Sequence, residues 1–216
     1  MDDNFLRDVA HRLVEPLTDD DLLWLRNHWP ARHLRELLLS PTAEVVRLAT
    51  RCLGLVGLSA DAQFLVALLG HSSDAVASEA EAGLWRLWFR AGSREGNAQL
   101  ARAVTHIRDG QLAEAVDLLR ALTASEPELA EAHHQLGLAL SLLEDPQAEA
   151  ALAAAVRLNP YHFAALAALG HACVHRGDLH GAVRFYRLAL HVHPRLAEIR
   201  EVVPQIEAAI ERRVVA

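Results

Sequence analysis

Residues 166–194, LAALGHACVHRGDLHGAVRFYRLALHVHP, contain two helical segments joined by a turn and closed by a proline. In the first segment the apolar and small residues recur three and four positions apart, which places them on one face of a helix. Gly177 and Asp178 form the turn. Pro194 ends the second segment, because the residue before a proline is pushed out of the α region. The stretch therefore predicts one antiparallel helix pair.

The second half of this pattern occurs three times. Prolines stand at intervals of 33 and 34 residues, and each follows an alanine by twelve positions, with a large side chain four positions after the alanine. A period of this length indicates stacked supersecondary units, because one helix pair alone cannot bury its apolar face. The three series are Ala115, Leu119 and Pro127; Ala148, Leu152 and Pro160; and Ala182, Tyr186 and Pro194.

The first halves agree in two copies, as Leu166-x2-Leu169-Gly170-x2-Cys173 and His133-x2-Leu136-Gly137-x2-Leu140. The whole pattern resembles the tetratricopeptide repeat (TPR) over about residues 96–196. Copy one departs from it in its first half, and copy two has lost one residue in its turn, where Asp145-Pro146 replaces the glycine-containing turn. The resemblance implies repeats at about 96–129, 130–162 and 163–196. A capping helix follows at 197–213, which Pro204 would kink or interrupt.

Residues 1–92 are also predicted to be helical, with a different pattern. VVRLATRCLGLVG (45–57) and VASEAEAGLWRLW (76–88) align at a shift of 31 residues. This is similar to short HEAT repeats over about 30–92, with Arg47 and Gly54 matching in the first copy but Ser78 and Trp85 in their places in the second. The predicted fold is all-α: an α-solenoid of stacked antiparallel helix pairs, with a HEAT-like region at 1–92 and a TPR domain at 96–216.

Composition narrows the classes of partner. The formal net charge is −7 and the basic residues are dispersed, which disfavours nucleic acid, since phosphate neutralisation drives such binding. Residues 52–70 are apolar, but Asp61 and Gln63 lie at their centre, so we expect no membrane insertion. Cys52 and Cys173 have no zinc-binding spacing and fall in apolar patterns, which is typical of buried thiols in a reducing cytoplasm.

Motifs of catalysis are missing from the sequence, which contains no GxxxxGK[ST], GxSxG, HExxH or GxGxxG. No enzyme activity and no cofactor are therefore predicted. Histidine is the over-represented polar residue, with 13 copies. His171 and His175 share one helix face, but a stable zinc site needs a third ligand and usually an acid, for which Glu131 is the nearest candidate.

The TPR resemblance implies that the first helix of each repeat lines a concave groove. The positions that would face it are Val104, Ile107 and Arg108 in copy one, His134, Gln135, Leu138, Ser141 and Leu142 in copy two, and His171, Val174 and His175 in copy three. TPR domains that grip acidic chaperone tails use a Lys/Asn/Arg clamp, whose places are taken here by Leu100, Val104, Ala167 and His171.

A groove without this clamp suits an amphipathic helix or a hydrophobic peptide. The sequence thus favours a non-catalytic scaffold that binds a protein or peptide partner. One alternative is a chaperone-like holder of a single hydrophobic client, by analogy with secretion chaperones. Another is a metal-dependent protein built on His134, His171 and His175.

Overall fold

The computed structural model describes residues 2–13 and 16–215, and every regular element in these ranges is helical. The chain divides into two compact units, residues 1–88 and 89–216. The predicted all-α helical-repeat fold is therefore confirmed. Within the described ranges, no helix is both long enough and apolar enough to cross a membrane.

The first unit is centred on one long helix, α4, which α1, α2, α3 and α6 all contact. Nine of the fourteen residues of α4 are buried, which explains why it reads as almost continuously apolar. The elements are α1 (Asp2–Ala10), α2 (Asp19–His28), α3 (Ala31–Leu37), α4 (Ala43–Val56), a 3₁₀ turn (Ser59–Asp61), α5 (Ala62–Val66) and α6 (Asp74–Trp88).

Two glycines set the distance between α4 and α6. A Cβ atom added to Gly54 would lie 2.6 Å from the Cα atom of Gly83, so the two backbones touch at this crossing. In the 31-residue alignment the position equivalent to Gly54 is Trp85, so the alignment does not predict the contact between Gly54 and Gly83. The likeness of this region to HEAT repeats stays a prediction.

The second unit is a succession of helix pairs in which each helix contacts the next along the chain. Pro127, Pro160 and Pro194 each stand two residues beyond the end of a second helix, as their effect on the preceding residue predicts. The helices are α7 (Arg94–Arg108), α8 (Leu112–Ser125), α9 (Ala130–Leu142), α10 (Ala148–Leu158), α11 (Phe163–His175), α12 (Leu179–Val192) and α13 (Ala197–Val215).

The repeat glycines make room for the large side chain of the paired helix. A Cβ atom on Gly137 would lie 2.6 Å from Cγ of Leu152, and one on Gly170 would lie 2.4 Å from the ring of Tyr186. In copies two and three the glycine of the first helix therefore contacts the large residue of the second helix. This contact is why both recur at a fixed separation.

The last helix, α13, continues through Pro204 without interruption. The proline lacks an N–H, so the carbonyl of Arg200, four residues earlier, loses its partner within the helix. Ile199, Val203 and Ile206 on α13 belong to the same apolar cluster as Tyr186 on α12. This packing holds the helix together across the proline.

The turn between α9 and α10 differs from the other two turns within pairs. Gly110 and Gly177 adopt left-handed backbone conformations, with φ of 77° and 80°. Glu144 occupies the matching position and takes φ of 55°. The sequence pattern pointed to Asp145-Pro146 as the altered turn, but the residue that bears the strain is Glu144, because the deletion leaves the left-handed position in place.

Replacing Glu144 by glycine is expected to raise the free energy of unfolding by about 0.5–1 kcal/mol. A left-handed conformation costs an L-residue about 1–2 kcal/mol, and the greater freedom of glycine in the unfolded chain returns part of that gain. Chemical denaturation measures the change. Gly177→Glu is the matched control and should be destabilising; a loss of stability in Glu144→Gly would contradict the backbone conformation described.

Candidate functional site

Nine of the eleven side chains predicted to line a groove are accessible in the second unit. Val104, Ile107 and Leu138 are half-buried, and the other six are exposed, namely Arg108, Ser141, Leu142, His171, Val174 and His175. These residues come from α7, α9 and α11, the first helices of successive pairs. Five of the nine are apolar and four are polar or charged, so the surface suits a ligand that is apolar in part.

A pocket of about 400 Å³ opens between α9 and α11. Leu138 and Ser141 line it from α9, and His171 and His175 line it from α11. Ala168 and Ala172 provide small apolar lining, which leaves room for a side chain from outside. Four of the predicted residues thus meet around one cavity.

One end of the pocket carries acidic side chains from the α9–α10 turn and the start of α10. Glu144, Asp145 and Glu149 line it together with a single cation, Arg176. Arg176 forms an ion pair with Glu149, and Asp145 lies 3.8 Å from Arg120. The three carboxylates therefore face two arginines, and the excess of one negative charge favours a positively charged group on a ligand.

His134 and Gln135 lie elsewhere, and the prediction that they line an open groove is wrong for this structure. Only 3% of His134 and 8% of Gln135 is exposed. Their side chains turn inward because Glu131 holds both: its Oε1 atom lies 3.1 Å from His134 Nδ1 and accepts a 2.7 Å hydrogen bond from Gln135 Nε2.

The same carboxylate reaches the next repeat through His162, the residue before α11. Its Oε2 atom lies 2.9 Å from His162 Nε2, and the two imidazole rings are 4.4 Å apart. Glu131 is 1% and His162 0% exposed. We name Glu131, His134 and His162 the buried cluster. It joins α9 to the start of α11, the two helices that form the walls of the pocket.

Hydrogen bonding assigns the proton on His162. Its Nδ1 atom accepts the backbone N–H of Ala165 at 3.2 Å and so caps α11, which leaves Nε2 to carry the proton and donate it to Glu131. A cap bond of this kind contributes about 1 kcal/mol. Burial lowers the pKa of His162, although the bond to Glu131 opposes this shift.

Glu131 is held as a carboxylate. Burial raises the pKa of this group, but the hydrogen bonds from His134 and His162 outweigh burial and lower the pKa to about 2. Two imidazoles and an amide thus stabilise a charge that would otherwise be costly in the protein interior.

Sequence reasoning missed His162. Its position, two residues after a repeat proline, is filled by Leu129 and Leu196 in the neighbouring copies. That polar-for-apolar exchange was a detectable signal. In the described ranges, three potential metal ligands come within 4.8 Å of one another only in the buried cluster. His171 and His175 are in no such group, so the metal-dependent alternative built on them has no third ligand there.

The chain is similar to known proteins in its structure. No protein-family model and no curated protein sequence matches the chain. Among solved structures, the first TPR of Spaghetti (RPAP3) bound to an HSP90 peptide is 21% identical, with a TM-score of 0.53, over 56% of this chain and 96% of that one.

Two further solved structures are similar at lower TM-scores. A mutant of MamA is 15% identical, with a TM-score of 0.48, over 79% of this chain and 91% of that one. A thermophilic TPR protein of Thermus thermophilus is 24% identical, with a TM-score of 0.41, over 96% of this chain and all of that one. The likeness to Spaghetti shows that this chain contains TPR-like helical repeats.

Proposed function

We propose that the second unit binds a peptide or helical segment of a partner protein on the surface formed by α7, α9 and α11. The chain would then act as a non-catalytic scaffold in the cytoplasm. The observation that carries the proposal is the pocket between α9 and α11, where His171 and His175 stand exposed beside small apolar lining. Such a cavity accepts one anchoring side chain of a bound segment.

The lining also limits the chemistry of the partner. Leu138, Ala168 and Ala172 suit an apolar side chain, while the acidic end at Glu144 and Glu149 suits a cationic one. A segment that carries a lysine or arginine beside an apolar anchor therefore fits best, and an acidic tail is disfavoured by like charge.

A holder of one hydrophobic client is the second candidate. Leu142, Leu143 and Val174 are 62%, 47% and 40% exposed, which is more apolar surface than a peptide anchored only in the pocket would cover. A client that covers these residues would be extended and apolar. Suppression of client aggregation at equimolar ratio distinguishes this candidate from a scaffold, which binds short segments without such an effect.

Filling the pocket should weaken segment binding. We expect a random peptide library displayed on phage to yield binders enriched in apolar and basic residues, and Ala168→Arg to weaken them at least about tenfold in fluorescence polarisation. Leu188→Arg is the control, since Leu188 is 46% exposed on α12 and lies outside this pocket.

Three results would count against the proposal. The library could yield no binder, the binders could be predominantly acidic, or both variants could weaken binding equally. The His171→Ala/His175→Ala variant then tells whether the imidazoles contact the segment. Circular dichroism of each variant verifies that the helices are intact.

A further inference from the structure

We propose that Glu131, His134 and His162 form a binding site for one divalent transition-metal ion, with zinc as the expected occupant. One carboxylate and two imidazoles converge here from α9 and from the residue before α11, with one ligand atom of each within 4.8 Å of the others. The inference stands apart from segment binding, since the buried cluster does not line the pocket.

The donor set is one that zinc commonly takes. Imidazole nitrogen and carboxylate oxygen bind Zn²⁺ at about 2.0–2.2 Å, so two ligands of one tetrahedral ion stand roughly 3.4 Å apart. The nitrogen atoms of His134 and His162 already lie 3.1 Å and 2.9 Å from oxygens of Glu131. These two separations are a few tenths of an ångström shorter than those between ligands of one ion, so a bound ion would replace both hydrogen bonds.

The neighbouring repeats show that the buried cluster is not needed for the fold. The positions that match Glu131 and His134 hold Ala164 and Ala167 in the next copy, and Leu129 matches His162 in the copy before. A buried polar group is costly unless it is well partnered, and the three hydrogen bonds to Glu131 supply part of that compensation. A divalent ion supplies positive charge directly to the Glu131 carboxylate.

The surroundings already hold the first ligands in place. Gln135 donates a 2.7 Å hydrogen bond to Glu131, as outer partners of metal-bound carboxylates do. Ligation through His162 Nε2 would move the ring proton to Nδ1, so the hydrogen bond from the Ala165 N–H would end. The free energy of one cap hydrogen bond is small compared with that of an ion bound by three ligands. Its loss should change the environment of a single amide, that of Ala165, when metal binds.

Metal content and a cobalt titration test the site. We expect the purified chain to contain about one equivalent of zinc by elemental mass spectrometry. After the zinc is removed with EDTA, one equivalent of Co²⁺ should give visible ligand-field absorption that Zn²⁺ then abolishes. Because the ligands are enclosed, the titration is repeated on protein unfolded and refolded with Co²⁺.

The decisive variant is His162→Leu, which installs the residue found at the matching positions. It should keep the fold and weaken Co²⁺ binding by about 100-fold or more, since even outer partners of metal ligands contribute 10–100-fold. The His171→Ala/His175→Ala variant removes the exposed histidine pair and should bind Co²⁺ as the parent does. In a ¹⁵N-correlation spectrum, Zn²⁺ should shift the Ala165 amide of the parent and not of His162→Leu.

Any of three outcomes overturns the proposal. The first is a refolded parent protein that carries no Co²⁺. The second is unchanged Co²⁺ affinity in His162→Leu, and the third is loss of Co²⁺ binding in the His171→Ala/His175→Ala variant, which would place the ion on the exposed surface.

Discussion

Replacing Glu131 by alanine is expected to lower the free energy of unfolding of metal-free protein by about 3–5 kcal/mol. The carboxylate accepts hydrogen bonds from His134, His162 and Gln135, all of which are buried. Its removal takes from three buried polar side chains the acceptor that they share, and each hydrogen bond lost in this way costs about 1–3 kcal/mol. Urea denaturation followed by circular dichroism, with EDTA present, measures the change.

Two comparisons separate this effect from loss of charge in general. Glu149→Ala removes an ion pair with Arg176 in which both partners are partly exposed, and it should cost no more than about 1 kcal/mol. The triple variant Glu131→Ala/His134→Ala/His162→Leu installs the residues of the neighbouring repeats and should recover most of the lost stability. If the triple variant were as unstable as Glu131→Ala, accepting hydrogen bonds from its buried neighbours would not explain how the carboxylate stabilises the fold.

Replacing Gly54 by alanine should destabilise the first unit by about 3 kcal/mol, at the upper end of the cost of overpacking. The added Cβ atom would lie 2.6 Å from the Cα atom of Gly83, so two helix backbones must separate. Alanine is a better helix former than glycine by about 1 kcal/mol, which offsets only part of that cost. The shift in thermal unfolding of the first-unit helices measures the result.

Gly83→Ala is the matched control on the opposite helix. The nearest atom to its added Cβ is Cδ1 of Leu65, at 2.8 Å, and the end of a leucine side chain can move aside where a backbone cannot. We therefore expect Gly83→Ala to cost clearly less than Gly54→Ala. The reverse order would contradict the contact between the two backbones.

The helix pairs of the second unit could be predicted from the sequence because the signals that specify them are local. Each repeat proline marks the end of a second helix, although Pro204 lies inside α13. A glycine such as Gly170 and a large residue such as Tyr186 mark one contact inside one pair. The residues that specify each helix pair therefore lie within the repeat itself. The TPR resemblance further implies that Leu138, Ser141, His171 and His175 lie near one another, because the first helices of adjacent pairs are neighbours.

The buried cluster could not be predicted in this way. The outward position of His134 is what the TPR resemblance implies, but the direction of a side chain also depends on which side chains the adjacent repeat places beside it. His162 lies 28 residues later in the sequence and supplies a second imidazole that Glu131 binds together with His134. Such a partner is visible only when both repeats are in place.

The remaining differences have the same origin. The contact of Gly83 with Gly54 was not predicted because the alignment of the first unit rests on apolar residues. The close approach of α4 and α6 depends instead on the absence of side chains at these two glycines. The left-handed conformation of Glu144 was not predicted because the deletion in the turn indicates a change at Asp145-Pro146. In both cases the backbone geometry, and not the residue type, determines the feature.

The buried cluster also bears on how this array could have been assembled over time. Tandem arrays ordinarily grow by duplication and can lose or exchange copies, since each junction resembles the next. Here Glu131 and His134 on α9 require His162 in the segment that follows, so this junction accepts only its own neighbour. Duplication or exchange of a copy at this junction would separate Glu131 and His134 from His162. The buried cluster therefore favours the present order of these two copies.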